Sequence, residues 1–421
     1  MSDHPHVAWR PVKDRRLFII FGIVLVDMLS FSLLIPLMPG YAIRFGASTF
    51  VAGLVLSAYP LMQVIAAPIL GRMSDVFGRK PILLLSIGGT AVALLVLGFA
   101  NALWMLVASR MIDGITGGNI SVAQAYMTDI TSVEDRGKAF GLVGAAFGLG
   151  FIIGPVTGGL LIGFGPQVPP FVAAGLAVVN LLLVTFLLRE SLSKERRAEI
   201  AATPAHGFNL HELASTLKLP RVGPLMWVRI VTGLTFAVFE GGFSLWALAG
   251  LGLNPRDIAF VLAYVGVISV VIQLGLIGPL TKRFRDPQLI VGATALAAVM
   301  LVAWGLSPNI WTLLALLPFL SLGMAVASTI VGSALTKAVH PDEVGGIIGL
   351  STSVGSLTRI PAPALAGALL QSTGVWAPGV LAGLVTAAAV PYAYVRLIKR
   401  PDAPLPPQEP GVTTEDATRS R

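Results

Sequence analysis

Six ionisable residues fall inside long apolar runs of this 421-residue chain: Asp27, Arg110, Asp113, Arg229, Glu240 and Arg359. A charge at the centre of a membrane-spanning helix costs about 2.5 to 3.5 kcal/mol on insertion scales, so each needs a partner or a water-filled cavity. Asp27 lies about ten residues into its run, roughly 15 Å at 1.5 Å per residue, and Asp113 reaches a similar depth from the other side. Along the Asp113 run, Arg110, Asp113, Gly117, Ser121 and Gln124 follow helical spacing and form one polar stripe. Arg110 and Asp113, at i and i+3, can pair. Two readings stay open: a static structural pair, or a switch in which a conformational change breaks the contact and the carboxylate takes up a proton. A switch of that kind couples proton flow to conformation, with Asp27, Arg110 and Asp113 carrying the proton.

Arg229 and Glu240 share one face of their helix. Arg229 is also near enough to its helix end to snorkel to the surface. Glu240 sits in FAVFEGGFSLW, among Phe236, Phe239, Phe243 and Trp246. An acid among aromatics suits a lipophilic cation, while packed aromatics equally make ordinary core. Arg359 precedes Pro361 and Pro363, which free backbone carbonyls, and it can pair with Glu240 if their helices are adjacent. Gln124, Phe239, Glu240, Trp246 and Arg359 form the expected substrate cavity.

The elements that position these groups follow from composition. Hydrophobic residues make up 55% of the chain and charged ones 12%, against about 25% charge in soluble proteins, and the mean hydropathy is +0.82. Spans are expected at roughly 17 to 38, 50 to 70, 81 to 100, 104 to 128, 138 to 163 and 169 to 188. Six more follow at roughly 223 to 249, 257 to 279, 288 to 306, 310 to 336, 345 to 370 and 376 to 397. The fold class is therefore an all-α membrane protein with twelve transmembrane helices in two six-helix bundles. The expected divisions are an N-terminal segment 1–16, a first bundle 17–188, a linker 189–222, a second bundle 223–397 and a disordered tail 398–421. The linker reads as a tether with one short amphipathic helix near Asn209 to Leu217.

Basic residues gather on one side of these spans, including Arg10, Arg72, Arg79, Lys80, Arg136, Lys138, Lys282, Lys337 and Lys399, whereas the other side receives only Arg44 and Arg256. This asymmetry places both termini in the cytoplasm, with the chain in a cell (inner) membrane. The net charge of +8 is thus a matter of topology, and no nucleic-acid partner is implied. With no cysteine, and five histidines that all lie outside the apolar runs, no disulfide framework, thiolate chemistry or metal site is expected. No GxxxxGK[ST] phosphate loop is present, and no nucleophile and base stand at workable spacing, so neither an enzyme nor a bound cofactor is expected.

The halves repeat. GRMSDVFGRK from Gly71 aligns with GPLTKRFRDP from Gly278, DITSVEDRGKAFG from Asp129 with KAVHPDEVGGIIG from Lys337, and GPVTGG from Gly154 with APALAG from Ala362, all at nearly the same offset. Two pseudo-symmetric bundles with a site at their midplane interface are the architecture of rocking secondary transporters.

These segments resemble the major facilitator superfamily, and within it the drug:proton antiporters with twelve spans, especially the tetracycline efflux carriers. GRMSDVFGRKPILL resembles the superfamily's loop between its second and third helices. There Gly71 permits close approach, Asp75 can accept hydrogen bonds from a facing helix N-terminus, Gly78 belongs to the same gate motif, and Arg79 and Lys80 can pair with acids on neighbouring loops. The resemblance implies a gate that latches the cytoplasmic side; Val76 stands where the family has a basic residue. RMIDGITGGNISVAQAYMTDIT is similar to the carriers' fourth helix, which implies that Arg110 is the proton-relay arginine. GLGFIIGPVTGG resembles the fifth-helix antiporter signature, with Gly150, Gly154, Pro155, Gly158 and Gly159 giving a close-packed, bendable helix; packing alone is the other reading. Asp27 followed by Pro36 and Pro39 matches the carriers' first helix, with Ser30 and Ser32 replacing their glycines. The run from Leu289 to Leu306 lacks the family's ninth-helix acid.

The expectation is a monomeric, proton-coupled antiporter that exports small amphipathic compounds across the lipid bilayer by alternating access. A metabolite symporter or uniporter of the same fold, or a non-transporting membrane receptor, are the alternatives.

Overall fold

The computed structural model describes residues 15–131, 136–202, 216–217, 219–340 and 343–399. The first half comprises α1 (Arg15–Leu34), α2 (Met38–Arg44), α3 (Thr49–Phe77), α4 (Arg79–Gly98), α5 (Leu103–Thr116), α6 (Asn119–Ile130), α7 (Arg136–Leu161) and α8 (Val168–Leu187). A short helix, α9 (Lys194–Ala202), lies between the halves in sequence. The second half comprises α10 (Val222–Leu251), α11 (Pro255–Val271), α12 (Ile277–Arg283), α13 (Asp286–Gly305), α14 (Ile310–Lys337), α15 (Val344–Arg359), α16 (Ala362–Ser372) and α17 (Ala377–Ala393).

Ten helices among the described residues are long and apolar enough to cross a membrane. The expected fourth and eleventh spans are absent from these ten because each is made of two helices in succession: α5 then α6, and α15 then α16. Their breaks have identifiable causes. Gly117 and Gly118 separate α5 from α6, and a Cβ at Gly118 would lie 2.6 Å from Leu70 of α3. Pro361 and Pro363 begin α16, where a proline lacks the N–H needed to continue the preceding helix.

Each half has its own core. Ile20, Leu83, Ile87, Val122, Ala146 and Val184 pack together in the first, and Phe243, Trp246, Leu301, Trp304, Leu313 and Leu317 in the second. Large apolar side chains also cover the outside: Trp104, Phe164, Phe186, Leu274 and Trp311 are all more than two-thirds exposed. A surface of this kind is stable only against hydrocarbon.

Contacts between the halves concentrate at the end opposite residues 15 and 399, here the far end. A Cβ at Gly53 of α3 would overlap the Pro363 carbonyl of α16, and one at Gly367 would overlap the Thr49 carbonyl. Thr49 Oγ1 donates to the Gly367 carbonyl at 3.2 Å, the Phe50 amide to Gln371 Oε1 at 3.2 Å, and the Ala364 amide to Ser57 Oγ at 3.3 Å. On the second seam Gly159 of α7 meets Ala259 of α11, and Gly266 meets the Phe151 carbonyl. Toward the terminal end the contacts fall away. Gly71, Gly141, Gly144, Gly275, Gly346 and Gly349 have nothing within 4 Å of where a Cβ would stand. The halves therefore part toward the terminal end and open a cavity there.

This packing predicts that Gly367→Val wedges the far end apart, because backbone on α3 cannot yield as a side chain would. A cysteine placed at Ser57, protected in the parent protein from an impermeant maleimide added on the far side, should become labelled. Equal protection in both proteins would show that the far end is not closed by this contact.

Candidate functional site

The break between α5 and α6 organises the first half's polar groups. Interrupting a helix leaves backbone groups without their ladder partners, and in a membrane these must be satisfied by protein. Gln63 Nε2 donates to the Gly117 carbonyl at 2.9 Å and to the Tyr59 hydroxyl at 3.0 Å, and Asn119 Oδ1 accepts from the Ile120 amide at 3.0 Å. Asn119 Nδ2 then reaches α1 and donates to Asp27 Oδ1 at 2.5 Å. Asp27 is half-buried and feels the charge of Asp113. It borders a small cavity of about 10 Å³ shared with Asn119 and Asn180. The Asn180 side chain is fully buried on α8, and neither its amide nitrogen nor its oxygen has a hydrogen-bond partner among the described residues.

Arg110 and Asp113 are buried and paired at 3.3 Å. The expected single stripe along the fourth span is corrected. Arg110 and Asp113 lie on α5, whereas Ser121 and Gln124 lie on α6 beyond the break, so the helical register does not carry through Gly117 and Gly118. Gln124 is half-buried there.

In the second half, Arg359 Nη2 stands 3.2 Å from Glu240 Oε2 and 3.4 Å from Oε1. Arg229 does not snorkel outward. Its Nη1 donates to Ser328 Oγ on α14 at 2.9 Å, and its Nη2 lies 3.6 Å from where a Cβ at Gly355 of α15 would stand. Two of the expected cavity residues need correction. Phe239 and Trp246 are 7% and 0% exposed and belong to an aromatic core: Phe239 packs edge-on to Trp304 at 5.0 Å, and Trp246 lies 5.3 Å from Trp304. They face away from the cavity because α10 buries one face in its own half and turns Glu240 out on the other.

Tyr59 of α3, which the sequence reading passed over, lies within electrostatic reach of Asp113, Asp27, Arg110 and Arg359. It thus stands between the two halves' charges. Tyr59 and Gln63, at i and i+4 in the spanning part of α3, were the available signal. Asn119 was signalled by its position after Gly117 and Gly118, and Asn180 as the one amide in the apolar run of α8.

The glycines of α7 face α1. Cβ atoms at Gly150, Gly154 and Gly158 would collide with Met28, Ser32 and Leu33 respectively, while Gly159 faces Ala259 of the other half. Ser32 fills the space left by Gly154 and donates to the Gly150 carbonyl at 2.8 Å and the Met28 carbonyl at 2.6 Å. With Pro155 inside the helix, α7 joins the helix bearing Asp27 to the opposite half.

At the terminal end Arg79 pairs with Asp75 at 2.6 Å and Asp129 at 3.0 Å. Glu190 accepts from the Arg79 amide at 2.9 Å and the Lys80 amide at 3.1 Å, placing a carboxylate at the N-terminus of α4, where the helix dipole favours it. Gly78 between α3 and α4 has φ of 110°, and a Cβ there would meet the Glu190 carboxylate. Arg79 thus pairs with acids as expected, and in this conformation its partners lie in the first half while Gly71 has open space before it. The linker is also more than a tether. Arg197 of α9 donates to the Phe77 carbonyl at 2.8 Å, and Arg72 to the Ile200 carbonyl at 2.9 Å, docking α9 on the end of α3. The amphipathic segment expected near Asn209 to Leu217 lies almost wholly outside the described residues, as does the tail from residue 400.

Comparison with known proteins agrees with this geometry. The family model described as Major Facilitator Superfamily matches residues 20–276 and again residues 225–419. The tetracycline resistance protein, class C, of Escherichia coli is 34% identical over 372 residues, covering 86% of this chain and 92% of that protein. Multidrug resistance protein 2 of Bacillus subtilis (strain 168) is 28% identical over 393 residues, covering 93% and 98%. Among solved structures, a bacterial homolog to the human lysosomal transporter Spinster, in an inward-facing and occupied conformation, aligns with a TM-score of 0.74 at 14% identity, covering 94% of this chain and 100% of that one.

Two outcomes follow from these contacts. Asp113→Asn leaves the Arg110 guanidinium buried without its counter-charge, a change that costs about 3 to 5 kcal/mol in buried pairs. The melting temperature in detergent should fall by several degrees, and Arg110→Met added to it should restore most of the loss; an unaltered single variant would show the charge to be compensated elsewhere. Glu190→Ala should undock α9, so that trypsin cleaves after Lys194 or Arg196 severalfold faster, unless Arg72 and Arg197 alone suffice to hold it.

Proposed function

The chain belongs to the major facilitator superfamily, and from that premise we propose that it exports small amphipathic compounds in exchange for protons by alternating access. The observation that carries this reading is the setting of Asp27: a carboxylate at membrane depth whose hydrogen-bond partner is the neutral Asn119 rather than a cation. A carboxylate fixed to an arginine stays ionised; one beside an amide can hold a proton or release it as its surroundings change. Asn119 stands at the broken helix, so a movement of α6 relative to α5 acts on Asp27 directly.

The terminal end is the cytoplasmic one in this reading, in keeping with the bias of lysine and arginine, and the protein stands open to the cytoplasm. A compound entering the cavity displaces the proton from Asp27. The halves then close at the Arg79 end and separate at the Gly53 and Gly367 contacts. The compound leaves, Asp27 takes a proton from outside, and the protonated carrier returns. Arg110 and Asp113, locked together in this state, hold the floor of the first-half site and supply the electrostatic field that Asp27 senses. The names of the tetracycline and multidrug resistance relatives support the outward direction. One chain contains both halves of the cavity, which supports a monomer as the working unit.

Asp27→Asn tests this reading, because asparagine keeps the shape and loses the titration. In liposomes with an imposed pH gradient, export of lipophilic cations or tetracyclines and the accompanying proton movement should fall to the level of protein-free vesicles, with the melting temperature unchanged. Persistent coupled proton movement in the variant would assign the proton to another group.

A further inference from the structure

The second half carries two guanidinium groups at membrane depth against one carboxylate. Glu240 serves Arg359, through contacts of 3.2 and 3.4 Å. The hydrogen-bond partner of Arg229 is the neutral Ser328 hydroxyl, and its Nε is buried with no hydrogen-bond partner among the described residues. Arg229 also approaches α15, its Nη2 lying 3.6 Å from where a Cβ at Gly355, one turn before Arg359, would stand, so the two positive groups share one stretch of that helix. The Arg359 side chain is 56% exposed, which at this depth means that it faces the open cavity. An uncompensated positive charge beside an accessible cavity within a membrane protein is the setting for an anion.

We propose that Arg229 and Arg359 together bind the anionic group, in the first instance a carboxylate, of the transported compound. This rests on the export reading above and adds the class of compound: an amphipathic anion or zwitterion. A carboxylate can take charge-assisted hydrogen bonds from both guanidiniums, whose planar forks suit it. The Ser328 hydroxyl, which accepts from Arg229, can turn its own proton to the same ligand. Binding offsets the positive charge of the two arginines and loosens the long contact between Arg359 and Glu240. The first half has the reverse excess, Asp27 and Asp113 against Arg110, so a zwitterion would lay its cationic end toward Asp27 and its anionic end toward Arg229. Tyr59 lies between, near the charges of both halves.

Matched pairs of compounds test the proposal on the purified full-length carrier: 1-naphthoate and dodecanoate, each against its methyl ester, with affinities from equilibrium dialysis. At least one acid should bind about tenfold or more tightly than its ester. That ratio should fall toward one in Arg229→Gln and in Arg359→Gln, and remain partly in Arg229→Lys, which keeps the charge and loses the fork. Ser328→Ala, which alters no charge, should reduce the ratio severalfold and carries the test if a glutamine variant fails to fold. Acids no tighter than esters in the parent protein, or a ratio untouched by all of these substitutions, overturns the anion site. Proton movement evoked by lipophilic cations or tetracyclines in liposomes, measured on the same protein, separates the two readings. Coupled proton movement without acid preference removes the anion site and leaves the exchanger standing. Acid preference without proton movement for any compound does the reverse.

Discussion

Hydrocarbon cannot solvate charge, and that constraint governs the arrangement of this protein more than any single contact. Each ionised group at membrane depth carries a penalty of about 2.5 to 3.5 kcal/mol unless protein or water answers it. The six such groups are answered unequally. Arg110 and Asp113 answer each other under cover, Glu240 and Arg359 answer each other in the open cavity, and Asp27 and Arg229 are answered by neutral partners, Asn119 and Ser328. The two residues without a direct counter-charge are of opposite sign and belong to opposite halves. Each half therefore holds one charge with no counter-charge in contact, negative in the first and positive in the second.

The same constraint acts on the backbone. An interrupted helix exposes N–H and C=O groups that lipid cannot satisfy, so interruptions are tolerated only inside protein or against a watery cavity. The two interruptions that split the fourth and eleventh spans adjoin charged residues. Gly117 and Gly118 break the fourth span beside Asp113 and Asp27, and Ile360 and Pro361 break the eleventh beside Arg359. Freed backbone groups and charged side chains share one polar zone, and Gln63 spans both tasks by serving the Gly117 carbonyl and the Tyr59 hydroxyl. A side chain committed to a broken helix moves when the break moves, and this ties local backbone geometry to the electrostatics of the site.

Much of the architecture is legible in the sequence because hydropathy is a local property. Apolar runs of spanning length mark the helices, and the repeat offset shared by three segments marks the duplication. The pairing of Arg359 with Glu240 was readable only as a possibility, since it depends on which helices are neighbours. The inward turn of Phe239 and Trp246 was not readable, because apolar residues lie all round α10 and periodicity cannot say which of them meet their own half. The continuous stripe through Gln124 failed for a related reason: helical spacing is extrapolated across Gly117 and Gly118, where the register is lost. The docking of α9 escaped because its sequence, KERRAEIAA, looks like solvated linker; what holds it are carbonyl oxygens of Phe77 and Ile200, which carry no sequence signature.

The two ends of the molecule differ in how they are held, and the difference bears on how easily it can change state. At the far end the halves meet through small residues and backbone, with neutral hydrogen bonds of 3.2 to 3.3 Å at Thr49, Phe50 and Ala364. Bonds of this type contribute about 0.5 to 1.5 kcal/mol net, so separating the halves there forfeits little. At the terminal end the strong interactions, Arg79 with Asp75 and Asp129 and the linker's Glu190 with the start of α4, tie the first half to itself and to the start of the linker. They stiffen that half as a unit without binding it to the second. A stiff body joined to its partner by weak, reversible contacts on one side can rock without unfolding. The glycine face of α7, packed on α1 by backbone approach and meeting α11 through Gly159, is a contact that joins the halves, and Asp27 immediately precedes Met28, against which Gly150 packs. Small rotations there change the surroundings of that carboxylate while the cores of both halves remain intact.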